Sequence, residues 1–322
     1  MYTQEKPFSI QIELTEGCNR GCGFCGLRGM RKSGKEPYYF MTKQTAERIV
    51  SEIVRVGWNS RIIFSMHGEP TLNKNYLRII KLFRKRLPKA VLSIMTNGYS
   101  IARSDDFSVS VEEFKSSGLN DLIIDMYAPN DDGHQILNYV KDNDIDYEIL
   151  DKGVPLYSSN SKGFRILFNP PIQTDEGAAI NRHLCNHCGA AAPLDYSYKN
   201  KRCARPFREM TFRYDGSVAL CCNDFRGEYP IGNIMESGIE ALWNSKAFQA
   251  ARIMLYNGER TFTPCLGCNA LSHRVGLLPD KMGKESLPKP SEKVEAFAKS
   301  YAKKHTPLCG ENWNSRPWEK EE

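Results

Sequence analysis

Short apolar segments alternate with amphipathic segments over the first half of the chain, and this alternation restricts the fold more than any other feature. Ile10, Ile12 and Leu14 alternate with polar residues, which is typical of a β-strand. Five further strands are predicted along the chain, in RIIFSM, AVLSIM, DLIIDMY, DYEIL and FRILF. Strands that alternate with helices predict βα units and a parallel sheet. Six units are too few for a closed eight-stranded barrel, so we predict an α/β fold in the form of a partial (β/α)6 barrel.

The helices between these strands carry end signals. Thr42 is the predicted N-cap of the first helix, and Gly57 is its predicted stop. The second helix should end before Pro88, because the residue before a proline disfavours helical backbone. Ser110 and Glu113 have the spacing of a capping box, which predicts that a third helix begins there.

The alternation stops near Pro171, and a different organisation follows. Asp215 and Gly216 join two short alternating segments, which is a strong hairpin signal, and Ser245 is the predicted cap of a later helix. A polar segment rich in lysine and proline begins near Asp280. We therefore predict a barrel domain, a small cysteine-rich α+β domain and a polar tail, with the boundaries 1–171, 172–279 and 280–322.

Composition and charge set wide limits on function. The chain of 322 residues has no apolar signal segment at its start, and no apolar run approaches the ~18 residues of a membrane helix. We therefore expect a cytoplasmic protein with no membrane partner. Its thiols should stay reduced, so that clustered cysteines more often bind metal than form disulfides. The net charge of +6 permits an anionic substrate but does not require one.

Three of the 11 cysteines lie close together, in the spacing Cys18-x3-Cys22-x2-Cys25. They follow the first predicted strand, and the carboxyl ends of parallel strands are where α/β proteins bind ligands. Three thiolates are one short of the four that fill an iron–sulfur cluster or a structural zinc site. The segment therefore predicts either a cluster with one iron open to a small molecule, or a zinc ion with a distant fourth ligand.

The cysteine segment and two later motifs resemble the radical S-adenosylmethionine (radical SAM) superfamily. Its signature has the same cysteine spacing, with an aromatic residue, here Phe24, before the last cysteine. HGEP, residues 67–70, resembles the Gly-Gly-Glu-Pro motif after the second strand, although His67 replaces the first glycine. TNG, residues 96–98, resembles the segment after the third strand. The resemblance implies these cofactor-binding residues: Phe24, His67, Gly68, Glu69, Pro70, Thr96, Asn97 and Gly98.

The resemblance also implies a reaction. Cys18, Cys22 and Cys25 would hold a [4Fe–4S] cluster whose open iron binds the amino and carboxylate groups of S-adenosylmethionine. An external one-electron reductant, such as flavodoxin or ferredoxin, would reduce the cluster. Cleavage of the sulfonium then gives methionine and a 5′-deoxyadenosyl radical, which takes hydrogen from an unactivated carbon. The protein would orient the substrate and exclude solvent.

A second group of cysteines lies further along the chain, at Cys203, Cys221, Cys265 and Cys268. A hairpin followed by Cys-x2-Cys fits a zinc ribbon, since four thiolates suit tetrahedral zinc. The segments CARPFREMTFRYDGSVALCCND and IGNIMESGIEALWNSKAF resemble instead the SPASM/twitch domains of many radical SAM enzymes. That resemblance implies one auxiliary [4Fe–4S] cluster, the twitch form, held by these four cysteines. The adjacent Cys222 is expected to be a bystander.

Cys185 and Cys188 belong to neither group. They follow the sixth predicted strand and should emerge at the same end of the sheet as the first cysteine segment. Three interpretations stay open. The pair is buried without a role; or it ligates a further cluster or zinc with His183, His187 or Cys309; or it is a catalytic pair of thiols that donates hydrogen to a substrate radical or exchanges redox equivalents.

These features favour an enzyme that removes hydrogen from an organic substrate in an oxidation, with the auxiliary cluster accepting the second electron. The alternatives are a radical epimerase, an enzyme that forms C–S or C–C bonds, and a non-enzymatic zinc-binding interaction module. Few residues precede the first strand, so we expect no leader-binding domain and favour a small molecule, nucleotide or sugar, or a peptide brought by a partner. A basic face on the second predicted helix permits nucleic acid, but a solvated outer surface is the simpler interpretation.

Overall fold

The computed structural model describes these ranges of the chain: 6–27, 37–150, 163–170, 185–191, 193–227, 229, 231–270 and 292–305. Within them, two short strands, Thr15–Glu16 (β2) and Tyr39–Phe40 (β3), form an antiparallel pair. The other strands form one large sheet and are Ser9–Ile12 (β1), Arg61–Phe64 (β4), Leu92–Thr96 (β5), Asp121–Asp125 (β6), Glu148–Ile149 (β7), Arg165–Asn169 (β8), Glu209–Phe212 (β9) and Val218–Ala219 (β10).

Helices lie between the strands of the first half and recur in the second half. They are Lys43–Arg55 (α1), Tyr76–Arg86 (α2), Tyr99–Ala102 (α3), Phe107–Ser116 (α4), Asp132–Asp142 (α5), Arg205–Arg208 (α6), Ile239–Trp243 (α7), Lys246–Tyr256 (α8) and Glu292–His305 (α9). None of the helices in the described ranges combines the length and apolarity needed to cross a membrane.

The large sheet has the spatial order β10-β9-β1-β4-β5-β6-β8-β7. Neighbouring strands from β9 to β7 are parallel, and β10 at the edge is antiparallel to β9. Apolar side chains such as Ile49, Ile53 and Phe83 are fully buried on the helices that pack against this sheet. The predicted α/β class, with a mostly parallel sheet and intervening helices, is confirmed.

The last two strands of the barrel half are not in chain order. Consecutive βα units would place β7 beside β6, but β8 pairs with β6 and β7 lies outside it. The reason is burial: Ile166, Leu167 and Phe168 of β8 are buried, whereas Glu148 and Ile149 of β7 are exposed. The more apolar strand therefore takes the inner position, where both of its faces are covered.

The second half of the chain joins the same sheet. β9 pairs in parallel with β1, from Ser9 opposite Glu209 to Ile12 opposite Phe212. The predicted hairpin at Asp215 forms as expected, with β10 folding back on β9. This pairing extends the barrel sheet with residues that lie beyond the predicted boundary at residue 171. It brings the segments next to β9 and β10 close to the loop that follows β1.

The helix ends agree with the sequence at most positions. Thr42 and Ser245 cap α1 and α8, each accepting a hydrogen bond from a backbone N–H three residues on. The prediction for the third helix was wrong, because α4 begins at Phe107 and its cap is Asp106, which accepts from the N–H groups of Ser108 and Val109. An aspartate is as good a cap as a serine, and Asp106 comes first along the chain.

The polar tail contains a helix, α9. Its Ala298 is fully buried, and the Tyr301 ring lies 6.3 Å from the Tyr229 ring. Part of the predicted tail is therefore packed onto the cysteine-rich half of the protein.

Replacing Asp106 by Ala should lower the thermal midpoint of unfolding by a few degrees, because two backbone N–H groups at the start of α4 lose their acceptor. Ser110→Ala is the matched control, since Ser110 lies inside the helix and alanine favours helix. Scanning calorimetry or thermal circular dichroism measures both midpoints. A larger loss in Ser110→Ala than in Asp106→Ala would contradict this assignment of the cap.

Candidate active site

A cleft opens where the carboxyl ends of β1, β4, β5 and β6 meet, and it holds about 630 Å3 of space including its open mouth. Eight of the residues predicted to bind metal or cofactor line it together: Cys18, Cys22, Phe24, Cys25, Gly68, Glu69, Thr96 and Asn97. They come from three loops that are far apart in the sequence. The parallel sheet brings these loops to one edge, as the strand pattern predicted.

The three cysteines of this cleft are half-buried and face a polar neighbour. The Nδ2 atom of Asn97 lies 3.6 Å from the Sγ atom of Cys18, and the backbone N–H of Arg20 donates to the same sulfur at 3.4 Å. Burial raises the pKa of the Cys18 thiol to about 12 in the absence of a metal. A bound cation reverses this effect, because it stabilises the thiolate directly. These thiols are therefore suited to a metal rather than to free thiolate chemistry.

Gly68 sits where the motif loop crosses the cysteine loop. It forms a parallel bridge with Gly17, and the N–H of Glu69 donates to the carbonyl of Gly17 at 2.9 Å. A Cβ atom on Gly68 would lie 2.3 Å from the Gly17 oxygen and 2.4 Å from the Thr15 oxygen. Glycine is required here for this close backbone approach.

Glu69 holds the second and third loops together. Its Oε1 accepts hydrogen bonds from Thr71 and Thr96 side chains at 2.6 Å each, and its Oε2 accepts from the N–H of Asn97 at 2.8 Å. Burial raises the pKa of Glu69 despite these donors. A cationic amino group in the cleft would favour the ionised carboxylate, so Glu69 is suited to binding one.

Several residues that line the cleft were not predicted from the sequence. Phe24 stacks on Tyr127 with ring centroids 5.9 Å apart, and the Arg20 guanidinium lies 5.2 Å from the same ring. Asp125 accepts hydrogen bonds from Tyr127 Oη at 3.2 Å and from Asn169 Nδ2 at 2.7 Å. The signal that could have identified Asp125 and Tyr127 is their position, directly at the end of the fourth predicted strand.

His67 is fully buried and is not among the described residues that line the cleft. Its Nδ1 lies 2.8 Å from Oε1 of Glu13, and its Nε2 lies 3.1 Å from the carbonyl oxygen of Cys222. Its ring contacts Phe225 at a centroid distance of 4.1 Å. His67 therefore connects the motif loop to the cysteine-rich half of the protein.

Pro70 and Gly98 are likewise not among the described lining residues. Pro70 begins a buried 3-10 turn after Glu69. Gly98 has φ +83, and a Cβ atom there would lie 2.6 Å from Ile136. Both residues shape the loops that carry Glu69 and Asn97, and their predicted contact with a cofactor stays a prediction.

The four cysteines of the second group are buried. Cys203, Cys221, Cys265 and Cys268 are each 5–8% exposed. Their thiols interact electrostatically with one another, and burial raises the pKa of Cys221 and Cys265 well above the usual range. Among the described residues, no three His, Cys, Asp or Glu side chains are arranged to hold a single metal ion. A cubane takes one thiolate on each iron and so accepts a wider arrangement than zinc does.

Two buried arginines lie close to this group. The Nη1 atom of Arg205 lies 2.8 Å from the sulfur of Cys222 and 3.3 Å from both carboxylate oxygens of Glu209. Arg205 Nε has no hydrogen-bond partner among the described residues. Arg260 is 1% exposed and donates to the carbonyl oxygen of Cys268. Sequence reasoning missed both arginines, and it treated Cys222, which contacts Arg205 and His67, as a bystander.

Cys185 and Cys188 lie beside the second group, and neither is among the described residues that line the cleft. Cys188 is 6% exposed and packs against Cys268 and Ala270, whereas half-buried Cys185 donates to Oδ1 of Asn223 at 3.3 Å. The hydrogen bond with Cys188 lowers the pKa of Cys268 to about 6 and raises that of Cys188. His183 and Cys309, named as possible partners of this pair, lie outside the described residues.

Gly68→Ala should weaken binding of S-adenosylmethionine by about tenfold or more, because a Cβ atom would separate the motif loop from the cysteine loop. Gly21→Ala, in the cysteine loop, is the matched control, since a Cβ atom there meets no described atom within 4 Å. Anaerobic titration calorimetry and iron analysis of both variants measure the effect. Equal affinities would show that the close approach at Gly68 does not shape the cleft.

Comparisons with known proteins agree with this geometry. The model of the radical SAM superfamily matches residues 12–175, and the model of an iron–sulfur cluster-binding domain, SPASM, matches residues 203–269. The chain is 24% identical over 279 residues to the S-adenosyl-L-methionine-dependent 2-deoxy-scyllo-inosamine dehydrogenase of Niallia circulans, covering 83% of this chain and 95% of that relative. It is 29% identical over 143 residues to a probable GTP 3',8-cyclase of Thermoplasma volcanium, covering 44% of this chain and 40% of the cyclase.

A solved structure shows the same fold. The crystal structure of BtrN in complex with AdoMet and 2-DOIA has a TM-score of 0.62 and 21% identity, covering 83% of this chain and 94% of BtrN. Both matched regions contain the cysteine groups described above. The chain therefore belongs to the radical SAM superfamily and carries a C-terminal SPASM iron–sulfur cluster-binding domain.

Proposed function

We propose that this radical SAM enzyme dehydrogenates a hydroxyl group of a small polar molecule, such as a cyclitol, a sugar or a nucleotide. The observation that carries the proposal is the pairing, in one fold, of the three-cysteine cleft with a second buried cysteine group. The two are joined by the contact between His67 and the carbonyl oxygen of Cys222. Because the fold holds two cysteine groups, it favours a reaction that needs two redox sites.

The residues of the cleft fit the first cluster and its ligand. Cys18, Cys22 and Cys25 would hold the cluster, while Glu69 and Asn97 supply the acceptor and the amide beside it. When bound, the cluster and S-adenosylmethionine supply the one-electron chemistry that removes a hydrogen atom from a substrate carbon. The half-buried walls, with Phe24 stacked on Tyr127, limit the access of solvent to that carbon.

The second group fits an anionic cluster. Four buried cysteines would provide four thiolates, and negative charge in a buried site requires compensation. Arg205 and Arg260 supply two buried guanidinium groups beside it, and the unpartnered Nε of Arg205 has capacity for a further acceptor. These charges suit an anionic cluster. Because four thiolates also give a zinc ion a net negative charge, the preference for an iron–sulfur cluster rests on the match of residues 203–269 to the SPASM model.

The balance of the reaction explains the need for a second redox site. Converting a CH–OH group to C=O removes one hydrogen atom from carbon, one proton from the hydroxyl group and one further electron. S-adenosylmethionine bound in the cleft would supply the acceptor of the hydrogen atom, and an auxiliary cluster held by the second cysteine group would supply the acceptor of the electron. Epimerisation has no such surplus electron, because a hydrogen atom returns to the carbon. Dehydrogenation therefore accounts for both cysteine groups.

The positions of Cys185 and Cys188 favour a redox role over hydrogen donation. Cys188 packs on Cys268 of the second group, and a thiol that donates hydrogen must contact the substrate carbon. We therefore propose that Cys188 acts on the auxiliary site, whereas Cys185 hydrogen-bonds to Asn223.

The polar lining supports a substrate rich in hydroxyl groups. Asp125 and Arg20 provide an acceptor and a donor at the cleft, beside the aromatic surface of Tyr127. The relative that matches over nearly its full length is named as a dehydrogenase of an aminocyclitol. A small molecule is thus favoured over a peptide or a nucleic acid, and an external one-electron reductant such as flavodoxin or ferredoxin completes the proposal.

The triple variant Cys18→Ala, Cys22→Ala, Cys25→Ala should lose cleavage of S-adenosylmethionine but retain about four iron atoms per chain, held by the second group. Anaerobic iron and zinc analysis, together with electron paramagnetic resonance (EPR), measures the content. Stoichiometric zinc in this variant would contradict the auxiliary cluster, and continued cleavage would contradict the assignment of the cleft.

A substrate panel deuterated at the carbinol carbon tests the reaction itself. The holoenzyme with reductant should form ketone and deuterated 5′-deoxyadenosine in equal amounts. Cys265→Ala should retain cleavage but form about tenfold less ketone, because the surplus electron has no acceptor. Mass spectrometry measures both products. An epimer that carries solvent hydrogen at the labelled carbon would instead support a radical epimerase.

A further inference from the structure

The backbone around Cys188 is held in an unusual conformation. His187 and Cys188 both have positive φ, at 47° and 54°. Non-glycine residues rarely adopt this region, and the conformation persists only where the surrounding structure imposes it. Two such residues in succession indicate that the fold fixes the direction of the side chains here.

The neighbouring Asn186 provides the fixing contacts. Its Nδ2 donates to the carbonyl oxygen of Gly267 at 2.7 Å, and its backbone N–H donates to Oδ1 of Asn269 at 2.7 Å. Both partners lie in the loop that carries Cys265 and Cys268. Asn186 is 2% exposed, so these hydrogen bonds are shielded from water. The loop of Cys188 and the loop of Cys268 are therefore joined as one unit.

This unit directs Cys188 onto a cluster ligand. Cys188 is 6% exposed and packs with Cys268 and Ala270. Cys203, Cys221, Cys265 and Cys268 already supply one thiolate for each iron of a cubane, so a fifth cysteine has no iron to bind. Cys188 can therefore act on the cluster only through contact with the sulfur of a ligand cysteine.

We propose that Cys188 donates an S–H hydrogen bond to the Sγ atom of Cys268 and thereby raises the reduction potential of the auxiliary cluster. This inference rests on the proposed function, in which that cluster accepts an electron. A hydrogen bond to a ligand sulfur stabilises the reduced cluster, since that form carries more negative charge. Cys188 acts through Cys268 on the reduction potential of the cluster and does not touch the substrate.

The test compares three variants in the background of the Cys18→Ala, Cys22→Ala, Cys25→Ala triple variant, where the auxiliary cluster alone is present. Cys188→Ala removes the donor, Cys188→Ser keeps a donor in the same backbone, and Cys185→Ala alters a thiol that points instead to Asn223. Iron analysis and redox titration monitored by EPR are made on each protein, and the same titration is repeated in the chain with all native cysteines of the cleft.

Cys188→Ala should keep about four iron atoms per chain and make reduction of the cluster about tenfold less favourable, a fall of 59 mV for a one-electron couple. Cys188→Ser and Cys185→Ala should stay close to the parent protein. Loss of iron in Cys188→Ala would make Cys188 a ligand and overturn the proposal, as would equal potentials in Cys188→Ala and Cys188→Ser. Absence of iron in the parent triple variant would instead overturn the proposed function.

Discussion

The parallel pairing of β9 with β1 is the contact on which the rest of the structure depends. β1 leads into the loop of Cys18, and β9 is flanked by Cys203 and Cys221. The register of these two strands therefore fixes the position of the two cysteine groups relative to each other. A strand addition of this kind satisfies backbone hydrogen bonds along a sheet edge. The cysteine-rich half is thus a continuation of the barrel sheet.

Burial of charge is the second constraint, and it explains residues that have no role in the cleft. Arg205 and Glu209 pair within the protein, and the N–H of Cys222 donates to Glu209 Oε1 at 3.1 Å. Gln11 of β1 donates to the other oxygen of Glu209 at 3.1 Å. A buried ion pair contributes little net stability but fixes geometry when all its hydrogen bonds are made. This network links β1 and β9 to Cys222, the neighbour of Cys221 in the second cysteine group.

Much of this arrangement could be predicted from local patterns. The parallel sheet, cap residues such as Thr42, and the edge at which Cys18, Glu69 and Asn97 meet all follow from periodicity and from the properties of parallel sheets. The pairing of β9 with β1 could not be predicted, because it depends on contacts between residues about 200 positions apart. The same holds for Arg205, whose role arises from what surrounds it.

His67 stands where the radical SAM motif has its first glycine, and its ring makes contacts that a glycine could not make. Its two ring nitrogens face two acceptors, the carboxylate of Glu13 and the carbonyl of Cys222. Oε2 of Glu13 also accepts a hydrogen bond from the N–H of Tyr214 at 3.0 Å and lies 3.8 Å from Nε of Arg213. Removing His67 alone would leave Oε1 of the buried Glu13 without the ring nitrogen that lies 2.8 Å from it. We therefore expect that related chains which lack His67 also replace Glu13, because the two side chains form one contact between the halves of the enzyme.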